Sequence, residues 1–168
     1  MKGRIIVFTG DGQGKTTASL GIALRSVAHG KKVIIIQFMK GYKMVGEFMA
    51  RDFLPNYEIY QFGGEDFVDL SNPKEEDKRR AREALTFARK KIGEKPFLMI
   101  LDEVNLATSI GLVSVEELLD LLRSKPEETN IILTGRYADE RIIEMADVVT
   151  EMRERKRKGL DCVEGIEY

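Results

Sequence analysis

The sequence predicts an α/β fold: a single doubly wound, mostly parallel sheet with helices on both faces. Four apolar runs are too continuous for strands with one face in water, and such runs are typical of buried parallel strands. Segments with helical periodicity separate the runs, and this alternation of strand and helix favours the doubly wound arrangement. The four runs are Ile5 to Phe8, Val33 to Ile36, Phe97 to Leu101, and Ile131 to Leu133.

Three segments repeat apolar residues at i, i+3, i+4 and i+7, the spacing of one helix face. Ser114 followed by Glu117 predicts a capping box at the start of the third helix. Asn72, with Pro73 and Glu75 after it, predicts the start of the second. The stripes are Leu20, Ala23, Leu24 and Val27; Ala81, Ala84, Leu85 and Ala88; and Val115, Leu118, Leu119 and Leu122.

Length and charge limit the class of protein. A chain of 168 residues with 43% hydrophobic residues predicts one domain, spanning residues 1–168. Its net charge of −1 gives no long-range field for nucleic acid. No apolar run approaches the roughly 20 residues of a membrane span. The single cysteine, Cys162, excludes an internal disulfide framework and favours a reducing compartment, so we expect a soluble, cytoplasmic protein.

A glycine-rich segment, residues 9–17, follows the first apolar run and opens the first helix. Its glycines permit a tight turn that points backbone N–H groups at a polyphosphate, where the helix N-terminus adds partial positive charge. Lys15 is expected on the terminal phosphates and Thr16 on Mg²⁺. Thr9 stands where the strict motif has glycine, and the alternative is a glycine-rich turn with an exposed lysine. The predicted phosphate loop, of the P-loop NTPase type, comprises Thr9, Gly10, Asp11, Gly12, Gln13, Gly14, Lys15, Thr16 and Thr17.

Polar residues follow two other strands and complete a candidate nucleotide site. Asp102 and Glu103 end an apolar strand, as in a Walker B element, and are expected to hold Mg²⁺ directly or through water. Arg136 follows the next predicted strand, where a guanidinium could reach phosphate oxygens. Arg25 lies ten residues after Lys15 on the first helix. The alternatives are a surface ion pair for Arg136 and an ordinary helix-surface charge for Arg25.

No nucleophile or base of its own is evident in this chain. The single histidine, His29, stands just before Gly30, where it is expected to end the first helix. Nothing marks Cys162 as an activated thiol. Any chemistry must therefore depend on the nucleotide, Mg²⁺ and a carboxylate, or on a nucleophile that the substrate brings.

The ordered set of motifs resembles the phosphate-loop family of ATP:corrinoid adenosyltransferases from the cobalamin pathway, over almost the entire chain. The glycine-rich core alone is shared with many NTPases, whereas the ordered set is specific. Its members are Gly10 to Thr17, Arg25, Gly30, Gln37 to Gly41, Leu101 to Asn105, Leu133 to Arg136, Ala146 to Met152, and Glu164 to Tyr168.

The resemblance implies transfer of the 5′-deoxyadenosyl group of MgATP to the cobalt of a reduced corrinoid, with release of triphosphate. Cob(I)alamin is itself a strong nucleophile, so the enzyme needs positioning and charge stabilisation rather than a base. By resemblance, Gly10 to Thr17 hold the triphosphate. Lys15, Glu103 and Arg136 act in catalysis; Thr16, Asp102 and Glu103 serve Mg²⁺; and Arg25 and Arg136 neutralise charge on the ATP. The implied partners are a corrinoid, a reducing flavoprotein and a second identical subunit.

The corrinoid side departs from the family pattern. Family members place aromatics, often Trp, in the loop that corresponds to residues 63–67, and this chain has no Trp. Phe67 and Asn105 are the candidate corrinoid-binding residues, with a core position as the alternative for Phe67. Many members have Lys-His-Pro where this chain has residues 156–158, and from the resemblance we expect this chain to lack the N-terminal extension that helps to cover the corrinoid.

Two other functions are compatible with the motifs. One is an ATPase in which Glu103 activates water and hydrolysis drives a conformational change. The other is a nucleotide-dependent binding module with little turnover. The reaction products distinguish them: triphosphate only with reduced corrinoid, ADP plus phosphate, or neither.

Overall fold

A single parallel sheet organises the chain. The structure is a computed structural model, and it describes residues 2–64, 66, 68–159, 161–166 and 168. Within these ranges six strands pair in the order β3-β2-β4-β5-β1-β6, and every pairing is parallel. The strands are β1 (Ile5–Thr9), β2 (Val33–Phe38), β3 (Tyr57–Phe62), β4 (Leu98–Asp102), β5 (Asn130–Thr134) and β6 (Val148–Glu151).

The four strands predicted from apolar runs are confirmed as β1, β2, β4 and β5, which form the centre of the sheet. β2 and β4 are buried along their whole lengths, as expected for central parallel strands. The apolar-run criterion missed β3 and β6, because both are edge strands with solvent on part of their surface. β3 mixes buried and half-buried residues, and all four residues of β6 are exposed.

Helices cover both faces of the sheet, as predicted. α1 and α2 pack on one face through Ala23, Val27 and Phe48. The other four helices pack on the opposite face and contribute most of the larger core cluster. The helices are α1 (Lys15–Ala28), α2 (Gly46–Met49), α3 (Glu75–Ile92), α4 (Val104–Ser109), α5 (Val115–Arg123) and α6 (Glu140–Met145), with a 3-10 turn at Ala50–Asp52.

The predicted helix ends are confirmed in two cases and wrong in one. The backbone N–H of Glu117 donates to the Ser114 hydroxyl at 3.1 Å, and the Ser114 N–H donates to the Glu117 carboxylate at 3.2 Å, which completes the capping box of α5. His29 is the C-cap of α1. The prediction that Asn72 starts α3 is wrong: Lys74 is its N-cap, and the Lys74 N–H donates to the Asp77 carboxylate at 3.0 Å.

The parallel register aligns the carboxyl ends of four central strands at one edge of the sheet. Gln37 of β2 lies beside Asp102 of β4, and Phe8 of β1 lies beside Thr134 of β5. Ligands of open α/β sheets bind at this edge. In the described part of the chain, no helix combines the length and the hydropathy needed to cross a membrane.

Candidate functional site

The phosphate loop is shaped by the chain that follows β6. Gly10 has φ 95°, and a Cβ there would lie 2.3 Å from the Met152 carbonyl oxygen. Met152 donates its N–H to the Thr9 carbonyl and accepts one from Gly12, both at 2.8 Å. The N–H of Gly12 therefore does not point into the site, contrary to the sequence-based expectation for the loop.

Lys15 begins α1 and folds back over its own loop. Its Nζ donates to the carbonyl of Gly10 at 2.8 Å and of Gly12 at 2.6 Å, and the residue is buried. Burial lowers the pKa of Lys15, the charge of Glu103 opposes this, and the nearby Arg136 lowers it further. A phosphate group that takes the place of these two carbonyls would supply the ammonium with a full negative charge.

The buried carboxylate of Asp102 accepts four hydrogen bonds beneath the site. Its Oδ1 accepts from the hydroxyls of Thr16 at 2.8 Å and Thr134 at 2.6 Å. Its Oδ2 accepts from Gln37 at 3.0 Å and from the Lys40 ammonium at 2.9 Å. Burial alone would raise the pKa of Asp102, but the Lys40 charge and these hydrogen bonds outweigh it and lower the pKa.

Sequence reasoning included Gln37, Lys40 and Thr134 in the family motifs but gave them no role in the site. One signal was available: Gln37 is a polar residue directly after the apolar run Val33 to Ile36, at the end of the strand where ligands bind, and the structure buries it completely. Burial alone would lower the pKa of Lys40, but the Asp102 charge, the hydrogen bond to Asp102 and the Glu47 charge together outweigh it and raise the pKa, so Lys40 is a cation.

Glu103 has a strained backbone conformation and a carboxylate that is free to bind a ligand. It adopts the left-handed conformation, φ 62°, between β4 and α4, an arrangement that is found at functional sites. The hydroxyl of Thr134 accepts its backbone N–H at 2.9 Å, and its carboxylate lines the cavity without a hydrogen bond to any described residue. Burial raises the pKa of Glu103, and Asp102 raises it further against the opposing Lys40 and Lys15.

The oxygen donors fit a hard cation only in part. Thr16 and Glu103 offer a hydroxyl and a free carboxylate, which suit Mg²⁺, whereas the four hydrogen bonds of Asp102 leave it in a supporting position. Among the described residues no three His, Cys, Asp or Glu side chains converge on a metal site. Any remaining ligands for Mg²⁺ would come from phosphate oxygens and water, as is usual for this ion.

A cavity of about 870 Å³ opens at the phosphate loop. Lys15, Thr16, Glu103 and Arg136 all line it, so the structure brings these four predicted residues together. Lys40 and Glu47 also line the cavity, and most of the lining surface is apolar. The apolar lining comprises Phe38, Met39, Tyr42, Met44, Val45, Val68, Leu70, Leu106, Cys162 and Tyr168.

The remaining predicted residues lie in different places. Asp11, Gly12, Gln13, Gly14 and Thr17 line the same cavity, whereas Thr9 and Gly10 lie behind the loop, toward Glu151. The Thr9 hydroxyl accepts the Ala138 N–H at 3.3 Å.

Two predicted residues lie away from this cavity. Arg25 is exposed on α1, ten residues beyond Lys15 and thus about 15 Å along the helix. Asn105 is fully buried, and its amide donates to the Gly135 carbonyl at 3.4 Å, so a direct corrinoid contact would require this packing to open. Phe67 lies outside the described residues.

Comparisons with known proteins show the family and the fold. The family model described as ATP:corrinoid adenosyltransferase BtuR/CobO/CobP matches residues 1–168. The chain belongs to this family. Similar proteins include corrinoid adenosyltransferases of a Sinorhizobium species, at 37% identity over 99% of this chain and 81% of the relative, and of Escherichia coli K12, at 35% over 99% and 86%. The corrinoid adenosyltransferase CobA of Salmonella typhimurium LT2 is 33% identical over 99% and 86%.

The fold is also found outside the family. A solved KaiC-like protein, PH0186 from Pyrococcus horikoshii OT3, superimposes with a TM-score of 0.61 over 94% of this chain and 76% of its own. At 15% identity the likeness concerns the fold alone, and it confirms the α/β architecture predicted from the apolar runs. Membership of the adenosyltransferase family confirms the resemblance drawn from the motifs.

Proposed function

We propose that this chain transfers the 5′-deoxyadenosyl group of ATP to the reduced cobalt of a corrinoid within the described cavity. A cobalt–carbon bond forms at C5′, the C5′–oxygen bond breaks, and its electron pair leaves with inorganic triphosphate. The observation that carries the proposal is the cavity itself, because the predicted phosphate-binding residues and an apolar surface suited to a macrocycle line the same space.

The residues have distinct roles in this proposal. The Lys15 ammonium breaks its hydrogen bonds to two loop carbonyls and binds phosphate oxygens instead. Arg136, which follows β5, contacts the departing triphosphate. Thr16 and Glu103 would hold Mg²⁺, which neutralises the polyphosphate when it is bound. Asp102 orients the Thr16 hydroxyl at 2.8 Å. No general base is required, because the reduced cobalt attacks as a nucleophile.

The proposal extends to the partners of the chain and to its location in the cell. A reduced cobalt requires an electron donor, for which we propose a flavoprotein. The exposed apolar residues Val148 and Val149 on edge strand β6 support association with a second copy of the chain. Cys162 is a free, exposed thiol, which supports a reducing, cytoplasmic location.

The test is a product assay under strict anaerobic reduction. We expect triphosphate and adenosylated corrinoid in equal amounts, and only when ATP and reduced cobalamin are both present. Release of ADP and phosphate without corrinoid would instead establish an ATPase, and no product at all would indicate a binding module.

A variant of Lys15 tests phosphate binding separately from the transfer reaction. Lys15→Ala should weaken ATP binding about 10- to 100-fold, since a charge-assisted hydrogen bond contributes about 1.5–3 kcal/mol. The matched control is Lys43→Ala, which removes an exposed lysine that does not line the cavity. Calorimetry that gives wild-type affinity for a folded Lys15→Ala protein would contradict the assignment.

A further inference from the structure

A continuous polar chain joins the two walls of the cavity below its surface. At one end is the phosphate loop, with Thr16. At the other is the segment of residues 42–49, here called the α2 wall, which contains α2 and four cavity-lining residues: Tyr42, Met44, Val45 and Glu47. The nucleotide side and the apolar side are therefore connected through side chains as well as through the backbone.

The first route runs through Lys40. Thr16 donates to Asp102 at 2.8 Å, and Asp102 accepts from the Lys40 ammonium at 2.9 Å. The same ammonium lies 3.7 Å from the Glu47 carboxylate. Lys40 is thus a cation shared between two carboxylates, one in the nucleotide site and one on the α2 wall.

A second route runs beside it through Gln37. Its amide nitrogen donates to Asp102 at 3.0 Å and to Glu47 at 3.2 Å. Its amide oxygen accepts from Gln61 at 3.0 Å, and Gln61 also donates to the Tyr42 carbonyl at 3.1 Å. The α2 wall is therefore held at two points, and Gln37 participates in both.

The charges around Lys40 indicate how nucleotide binding would change its contacts. Lys40 is nearer to Asp102 than to Glu47, and the Asp102 side chain is only 1% exposed, so little solvent screens the pair. A Mg²⁺ ion bound with the nucleotide at Thr16 and Glu103 would place positive charge beside Asp102 and weaken its attraction for Lys40. Glu47 is the other carboxylate that pairs with Lys40, so the ammonium would then shift its contact toward the α2 wall.

We infer that Lys40 is a positioning residue that couples nucleotide binding to closure of the α2 wall around the second substrate. This rests on the proposed function, since the second substrate is taken to be the corrinoid. A ligand can shift such an equilibrium only through a differential interaction with its two states, and the shared ammonium supplies one. The substrates then bind cooperatively, with nucleotide binding favouring corrinoid binding.

The experiment measures the affinity for cob(II)alamin, anaerobically, with and without MgATP. Without a reductant the cobalt is not a nucleophile, so binding is observed without turnover. In the wild type we expect MgATP to tighten cob(II)alamin binding by about tenfold, within the usual range of allosteric coupling. In Lys40→Met the factor should fall to about twofold or less, and the affinity for MgATP alone should change by less than it does in Lys15→Ala.

Three further variants complete the design. Lys40→Arg keeps the cation and should restore most of the coupling, which a purely steric role would not predict. Glu47→Gln removes the other end of the ion pair and should lose the coupling while leaving the Asp102 contact intact, so it serves if Lys40→Met does not fold. Lys90→Met is the matched control, because Lys90 is exposed on α3, outside the α2 wall and the cavity lining, and forms no ion pair with any described residue.

Three outcomes would overturn the inference. Full coupling in folded Lys40→Met would show that the chain through Lys40 transmits nothing. A loss of MgATP affinity as large as that of Lys15→Ala would show that Lys40 binds phosphate directly. Failure of the proposed function gives a different result, since the wild type would then bind no cob(II)alamin or would release no triphosphate on reduction. A wild type that turns over but shows no coupling refutes this inference alone.

Discussion

Adjacent carboxylates at the end of β4 have opposite environments. Asp102 accepts four hydrogen bonds and is fully buried, whereas Glu103 has a raised pKa and lines the cavity without a hydrogen bond to a described residue. The sequence predicted both as metal residues, because the motif shows only that a strand ends in two acids. The difference arises from partners on β2 and β5 that are distant in the sequence, so local pattern could not reveal it.

Glu103→Gln tests the division of roles. We expect adenosyl transfer to fall at low Mg²⁺ and to recover in part with added Mg²⁺ or Mn²⁺, since weaker coordination is a mass-action defect. The half-saturating Mg²⁺ concentration should rise by about tenfold or more, because even outer-shell partners of a metal contribute this much. Initial rates against Mg²⁺ concentration measure the effect. A rate that stays low at saturating metal would place Glu103 in the chemical step instead.

Short elements and edge strands were the ones that the sequence did not predict. β1, β2, β4 and β5 are buried, so their apolar runs are continuous and visible, and α1, α3 and α5 are long enough to show periodicity. The four to six residues of α2, α4 and α6 complete less than two turns. α2 nevertheless forms part of the cavity wall, so this limitation affected the site as well as the fold.

Two glycines, one in the loop that precedes α1 and one inside α1, differ in the space around them. A Cβ on Gly12 would lie 2.9 Å from backbone atoms of Met152 and Arg153, whereas a Cβ on Gly21 would meet nothing within 4 Å. Gly12→Ala should therefore destabilise the protein by about 1–3 kcal/mol through overpacking and weaken ATP binding. Gly21→Ala, inside α1, should stabilise it by about 0.5–1 kcal/mol.

Urea unfolding and ATP calorimetry on both variants measure these effects. Gly21→Ala is the control for adding a methyl group close to the site without a clash. Equal stabilisation by the two substitutions would mean that the chain after β6 does not constrain the phosphate loop.

The molecule separates function and stability between the two edges of its sheet. The carboxyl edge holds the cavity. There the pKa of Lys15 is lowered and the pKa of Glu103 is raised, and both shifts favour the neutral side chain. The amino edge holds an ion-pair cluster of Lys32, Glu58, Lys91 and Glu94, which joins β3 to the start of β2 and the end of α3.

The cluster predicts the acid sensitivity of the whole fold. Burial alone would raise the pKa of Glu58, but hydrogen bonds from Lys91, Lys32 and Tyr60 outweigh it and lower the pKa to about 2. Because this value lies below the ordinary 4.5, Glu58 stabilises the fold above about pH 4.5, and its contribution is lost as the pH falls toward 2. Asp102 has a lowered pKa as well, so its contribution has the same sign.

Glu58→Gln should therefore lower the urea midpoint at pH 7 and flatten its decline between about pH 4.5 and 2.5, since the neutral side chain cannot lose a charge. The matched control is Glu144→Gln, at an exposed carboxylate on α6 that forms no ion pair with any described residue. Its pH profile should follow that of the wild type. The measurement is the urea midpoint of the wild type and of both variants at intervals of half a pH unit. If Glu58→Gln declines as steeply as the wild type, the acid sensitivity belongs to other carboxylates, and Asp102 at the opposite edge becomes the first to examine.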